Sequence, residues 1–176
     1  MRNTVYLFLL GIILLTIALV VRSGMMARKD PGRPINSAMR AALDHEAPQW
    51  SEADADVIRQ KYATAHRLRS GLMYVERDPG TGQATPSEGQ EVIVNYDGRL
   101  LDGTRFDSSY GKAPYTFRLG TGSVIPGWDE AFRTMKKGGH RTLIVPYWLA
   151  YGIGGNPPTI PPRATLIFDV ELIDFR

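Results

Sequence analysis

Residues 122–139 read GSVIPGWDEAFRTMKKGG, and this stretch decides the fold. Pro126 suits the first turn of a helix, where its missing N–H costs nothing. Asp129 and Glu130 suit the positive N-terminal end of the helix dipole, and Lys136 and Lys137 its negative end. Trp128, Phe132 and Met135 fall on one face, and Gly138-Gly139 stop the element. The helix has one apolar face, so something apolar must cover it.

The flanking sequence supplies the cover as strands. Val92, Val94 and Tyr96 alternate with Glu91, Ile93 and Asn95. Tyr115, Phe117 and Leu119 alternate with Thr116 and Arg118, and Thr142–Val145 is a further short strand. Leu166, Phe168, Val170 and Leu172 alternate with Thr165, Ile167, Asp169 and Glu171. Asp97-Gly98 and Asp102-Gly103 read as hairpin-type turns. Strands joined by turns rather than helices give an antiparallel sheet. The fold class is α+β, a curved antiparallel sheet wrapped around one central helix.

Upstream, Ser51 is an N-cap with Asp54 three positions on. Val57, Ile58, Tyr62, Ala65 and Leu68 recur at helical spacing, and Gly71 stands where a C-terminal cap glycine falls. This predicts a helix over 52–69. Its narrow apolar stripe favours a spacer packed on the next domain over a dimerisation helix. Ser37–Glu46 reads as a short helix ended by Pro48, and 22–36 as a basic linker carrying Gly24, Pro31-Gly32 and Pro34.

The N-terminal run TVYLFLLGIILLTIALVV, Thr4–Val21, carries no charge. As a helix it spans roughly 27 Å, close to the hydrocarbon thickness of a bilayer. The sequence around Gly24 makes a poor cleavage site, which favours an uncleaved anchor. The basic flank of Arg22, Arg28, Lys29 and Arg33 argues for a cytoplasmic downstream domain, whereas the short leading tail with Arg2 is that of an ordinary export start. The reading adopted is an extracytoplasmic, periplasmic-side domain. The expected organisation is an anchor over 1–21, a linker with short helices over 22–71, and a folded domain over 72–176.

Composition excludes several chemistries. There is no cysteine, so thiol nucleophiles, disulfides and thiolate metal sites are absent. A formal net charge of +3, dispersed along the chain, does not make a nucleic-acid surface. His45, His66 and His140 have no metal-ligand spacing. No G-x-S-x-G, P-loop or G-x-G-x-x-G occurs, and no helix follows Gly152–Gly155 to present amides to a phosphate. No metal or cofactor is expected. What the domain holds instead is aromatic: Tyr96, Phe106, Tyr115, Phe117, Trp128, Tyr147, Trp148, Tyr151 and Phe168. One helix and one sheet layer cannot hide them all, so some line a concave apolar pocket.

The segments VNYDGRLLDGTRFDSS (94–109), GSVIPGWDEAFRTMKKGG (122–139), LAYG (149–152) and IPPRATLIFDVELI (160–173) together resemble the FKBP family of peptidyl-prolyl cis-trans isomerases, the macrolide-binding immunophilins. The resemblance runs from about Ser70 to the C-terminus. It implies a pocket with Trp128 as the floor under the substrate proline, Tyr96, Phe106, Tyr115 and Phe168 as walls, and Val124 and Ile125 along one side. The Ile125 N–H would bond a substrate carbonyl, Asp107 and the Tyr151 hydroxyl would be polar contacts, and Ile160 would belong to an overhanging loop. Asp107, Tyr151, Trp128 and Phe168 would carry catalysis, and the others would bind substrate.

The implied partners are proline-containing proteins or peptides and macrolide inhibitors of the rapamycin type, with the membrane reached through the N-terminal helix and no nucleic acid. The implied role is to assist protein folding. Two departures stand out. Tyr115 replaces the phenylalanine of the best-known members, and Asn156-Pro157-Pro158-Thr159 replaces a loop that in them carries a histidine and a further isoleucine. A non-catalytic FKBP-like binding or chaperone module is the alternative. A purely structural tether would leave the aromatic pocket unexplained.

Overall fold

The computed structural model describes residues 49–176. The apolar run Thr4–Val21, the linker 22–36 and the expected helix Ser37–Glu46 lie outside the described residues. Among the described residues no helix is long and apolar enough to cross a membrane.

The described residues form helix α1 (Glu52–Lys61), strands β1 (His66–Arg67), β2 (Met73–Asp78), β3 (Glu91–Leu100), β4 (Arg105–Ser108) and β5 (Tyr115–Arg118), helix α2 (Pro126–Phe132), strand β6 (His140–Val145), a 3-10 turn (Tyr147–Leu149) and strand β7 (Leu166–Phe175). One antiparallel sheet runs β1-β2-β6-β7-β3-β4, with β5 paired to β3 as well. Strand β3 organises it. One edge pairs with β7 along nearly its whole length, while the other takes β5 at Glu91–Val94 and β4 at Asp97–Arg99. This splits β4 and β5 apart and curls the sheet over α2.

The concave face closes on Trp128, Ala131 and Phe132 of α2 and on Met135 just after it, all buried against Val92, Val94, Leu143, Val145, Leu166, Phe168, Val170 and Leu172. Helix α2 is shorter than the sequence predicts, and Lys136 and Lys137 lie beyond its end. Its last carbonyls are met by Arg141 instead. The buried guanidinium donates to Ala131 O, Thr134 O and the Thr134 hydroxyl, at 3.1, 3.1 and 2.6 Å. Glu76 pairs with it at 2.8 Å, and the Tyr74 ring lies 4.4 Å beneath it. A seven-residue helix is too short to be stable on its own, so this clasp from the sheet takes the place of the expected lysines.

Asp97-Gly98 is not a turn but the middle of β3. A Cβ at residue 98 would lie 2.8 Å from the Phe106 ring and 3.0 Å from Phe168, so glycine is required there by close packing and not by a bend. Asp102-Gly103 does turn, with Gly103 at φ 97.

The helix expected over 52–69 ends at Lys61, with Tyr62 as its cap. Ser51 caps its start, accepting the Asp54 N–H at 3.1 Å. His66 and Arg67 form β1 against Met73 and Tyr74. Gly71, at φ 97, serves the intervening hairpin turn and does not cap the helix. The apolar spacing misled because its members serve opposite faces of the sheet. Ile58 is buried against Ile144 and Ile167 on the outer face, with Trp50, Tyr62 and Ala65 around them, whereas Leu68 packs on the inner core. The Thr165 hydroxyl donates to Asp54 at 2.6 Å and fixes the helix start. As far as it is described, residues 49–176, the compact unit thus takes in α1 and β1 ahead of residue 72.

Ile58→Ala in the full chain is expected to lower unfolding free energy by about 2–5 kcal/mol, the range for truncating a buried isoleucine. Urea melts check this. An unchanged midpoint would show that α1 is not part of the core.

Candidate functional site

The split of β4 from β5 leaves the N-terminal end of α2 uncovered, and a cavity of about 430 Å³ opens there. Strand β3 brings Tyr96 to it, β4 brings Phe106 and Asp107, β5 brings Tyr115 and β7 brings Phe168. The approach to α2 adds Ser123, Val124 and Ile125, and the helix itself adds Pro126 and Trp128. Ala150 and Tyr151 follow the 3-10 turn and close the remaining side.

The aromatic rings form a box of edge contacts around one indole. Tyr96 meets Trp128 at 5.1 Å and 78°, Phe168 meets it at 5.2 Å and 77°, and Tyr115 at 6.1 Å and 75°. Phe106 stands perpendicular to Phe168 at 5.5 Å. Phe117 and Phe132 back the indole from the core at 5.8 and 5.5 Å. Trp128 is 4% exposed, and its buried indole N–H finds no partner among the described residues. Edge-to-face geometry is the arrangement the ring quadrupoles favour, and it holds the floor rigid.

Polar groups are few and converge. The Tyr96 hydroxyl donates to Asp107 Oδ2 at 2.5 Å, and Asp107 Oδ1 accepts the Ser108 N–H at 2.8 Å. The Lys112 ammonium stands 3.9 Å from the same carboxylate. Burial pushes the Tyr96 phenol well above its ordinary pKa of 10.0, and its hydrogen bond to Asp107 and the charge there push it further. Burial also raises Tyr151, with the Asp107 charge and Tyr115 adding to it. Both phenols are therefore neutral donors across the physiological range, not bases. Ile125, the N-cap of α2, carries no side-chain cap, and no acceptor among the described residues receives its backbone N–H. Among the described residues no three His, Asp or Glu side chains are grouped to hold a metal ion.

Of the residues singled out in the sequence, Asp107, Tyr151, Trp128, Phe168, Tyr96, Phe106, Tyr115, Val124 and Ile125 all line this cavity. Ile160 does not. It is 3% exposed within the inner core, at the end of a loop closed where Asn156 and Ile160 exchange backbone hydrogen bonds at 2.8 and 2.9 Å. Ser123, Pro126 and Ala150 were not singled out; each adjoins a residue that was, and none carries a large side chain to signal it. Trp148 is also outside the lining. Its indole donates to Ser70 O at 2.9 Å and its ring meets Trp50 at 5.7 Å, so it braces the segment leading to Tyr151.

Comparison with known proteins gives a consistent result. The family described as FKBP-type peptidyl-prolyl cis-trans isomerase matches residues 82–173. The FKBP-type peptidyl-prolyl cis-trans isomerase FkpA of Escherichia coli is 41% identical over 146 residues, covering 81% of this chain and 52% of that protein. The peptidyl-prolyl cis-trans isomerase FKBP4 of Bos taurus is 50% identical over 109 residues, covering 60% of this chain and 23% of that one. The crystal structure of FkpA from Escherichia coli superposes with a TM-score of 0.63 at 42% identity, over 80% of this chain and 65% of that one. AtFKBP13 superposes with a TM-score of 0.60 at 38% identity, over 64% and 98%. The chain spans about half the length of FkpA and about a quarter of FKBP4.

The geometry separates two of the cavity residues by what they support. Trp128→Ala is expected to cost about 3–5 kcal/mol of stability as well as the pocket floor, and Trp128→Leu less, because leucine fills part of the hole. Asp107→Ala is expected to melt near the parent, since Asp107 packs against little. Thermal melts of the three variants check the division; an Asp107→Ala midpoint as low as that of Trp128→Ala would make Asp107 a structural turn residue.

Proposed function

This chain belongs to the FKBP-type peptidyl-prolyl cis-trans isomerase family, and from that premise we propose that its cavity accelerates rotation about X–Pro peptide bonds in protein substrates and so assists their folding. The observation that carries the reading is an aromatic box with a free backbone donor at its edge and no histidine or cysteine among its lining residues to serve nucleophilic catalysis. The barrier to rotating an X–Pro bond is about 18–20 kcal/mol and is mostly amide resonance. Resonance makes the planar amide more polar than the twisted one, so a dry aromatic surface favours the twisted form. No proton needs to move. A millionfold acceleration requires roughly 8 kcal/mol of selective stabilisation, at 1.36 kcal/mol per tenfold.

In this reading Trp128 carries the proline ring, with Phe168, Tyr96 and Phe106 around it. The Ile125 N–H holds a substrate carbonyl. The Tyr151 hydroxyl donates to the substrate backbone. Asp107, held by Tyr96, faces the carbonyl carbon as the bond twists and the amide loses its charge separation. Rapamycin-type macrolides occupy the same box. The non-catalytic binding module remains the second reading, because packing proline against Trp128 binds it whether or not the bond turns.

Thr4–Val21 is proposed as an uncleaved anchor that holds residues 72–176 and the preceding linker on the extracytoplasmic side. Its support is its length, its lack of charge and its basic flanks. Carbonate-resistant sedimentation is expected, and a soluble chain starting near Gly24 by mass spectrometry would make the run a signal peptide.

The full chain is expected to accelerate cis-trans exchange of Xaa-Pro peptides, with a bulky apolar Xaa favoured over a small one by the aromatic walls and a rapamycin-like macrolide competing. Because the Tyr96 and Tyr151 phenols titrate above their ordinary value, raising the pH towards 10 should not depress the rate through them. Macrolide binding without acceleration would select the binding-module reading.

A further inference from the structure

Three tyrosines line the cavity, and their hydroxyls differ in use. The Tyr96 hydroxyl is committed to Asp107. Tyr115 and Tyr151 are 40% and 41% exposed, and neither hydroxyl has a hydrogen-bond partner among the described residues. Tyr151 sits on the loop after the 3-10 turn, where the isomerase reading gives it the substrate backbone. Tyr115 has no such task, yet it is the more rigidly held. It heads β5, paired to Val94 of β3. Its ring stacks on Phe117 at 6.1 Å and 24°, and meets Tyr96 edge-on at 5.9 Å and Trp128 at 6.1 Å. The phenol oxygen is thus fixed at the mouth on the β5 side.

We propose that the Tyr115 hydroxyl is a specificity-determining group, selecting a neutral hydrogen-bond acceptor, the carboxamide of Gln or Asn, in a residue beside the substrate proline. The inference rests on the isomerase reading only for the placement of proline on Trp128. With the cavity empty, water satisfies the phenol. A peptide lying across the mouth displaces that water. An apolar neighbour of the proline then leaves the hydroxyl unpaired, which is disfavoured, whereas an acceptor restores the bond. The net difference for one neutral hydrogen bond corresponds to about two- to tenfold in affinity or rate. Discrimination by an unpaired protein group is stronger than discrimination by a missing methylene in an apolar pocket.

The acceptor is neutral because Asp107 lines the same cavity. Its charge reaches Tyr151, where it raises the affinity for a proton. Lys112 offsets it only from an exposed position 3.9 Å away. An anionic side chain at the mouth meets that carboxylate, and a cationic one offers Tyr115 no lone pair.

The experiment uses the full chain and peptides with Gln, Glu or Met, side chains of equal length, placed either before or after proline. Affinity is measured by calorimetry and kcat/KM by exchange spectroscopy. At one of the two positions the parent chain should favour Gln over Met about two- to tenfold, and Gln over Glu. Tyr115→Phe should bring the Gln/Met ratio to about one, and Tyr151→Phe should preserve it. A ratio near one in the parent at both positions, or one that survives Tyr115→Phe, overturns the proposal. So does a ratio lost in Tyr151→Phe instead. Affinity is read without turnover, so selective binding with no acceleration would fail the isomerase reading while leaving this one standing.

Discussion

The packing of Trp128 governs both halves of the molecule. Its indole closes the inner core with Phe117 and Phe132 behind it and forms the cavity floor with Tyr96, Tyr115 and Phe168 in front. A side chain that is floor and core at once cannot relax towards a ligand without disturbing the fold, so the floor is stiff. Stiffness is what a desolvation mechanism needs, since a floor that collapsed into the empty cavity would have to be reopened on every binding event.

That demand falls on a short helix. Helix α2 has seven residues, too few to hold itself by its own hydrogen bonds. The sheet therefore holds it at both ends. At the C-terminal end Arg141 reaches across from β6 to Ala131 and Thr134 while Glu76 neutralises it. Near the N-terminal end Gly127 lets the helix approach β6, where any Cβ would lie 2.6 Å from Val145. A buried arginine is tolerable because nearly every donor finds an acceptor. The charge lies at the C-terminal end of the helix and the cavity at its N-terminal end, so no guanidinium lines the cavity.

The helix and the inner strand faces are legible in the sequence because each rests on a local signal, whereas the ten proposed site residues come from the family resemblance, and nine of them line the cavity. Proline at a first turn, apolar alternation and clustered aromatics need no knowledge of what packs against them. What misled was every signal whose meaning depends on a distant partner. Gly98 looked like a turn because nothing nearby in the chain reveals that Phe106 and Phe168 close over it. Leu68 looked helical because it falls in phase with Ile58, although the two serve opposite faces of the sheet. Lys136 and Lys137 looked like dipole partners because Arg141 is beyond the window in which a helix end is read. The resemblance assigns Ile160 to an overhanging loop and to substrate binding, but its side chain is buried in the inner core and does not line the cavity.

The outer face of the sheet explains why the compact unit starts so far upstream. Leu143-Ile144-Val145 and Leu166-Ile167-Phe168 are continuous apolar runs, not alternating ones. A strand buried on one face alternates; a continuous run needs cover on both. Inner-facing Leu143, Val145, Leu166 and Phe168 are met by α2 and its neighbours, but Ile144 and Ile167 would face water if the chain began at residue 72. Helix α1 removes them from water through Ile58, with Trp50 and Tyr62 at its ends. Trp50 also meets the Trp148 ring at a tilt, and the Trp148 segment leads into Ala150 and Tyr151 at the cavity. The sheet is therefore sandwiched between one helix that builds the pocket and one that seals its back. The cover for the second face lies ahead of the family match, and so in the part of the sequence where resemblance offered no guide.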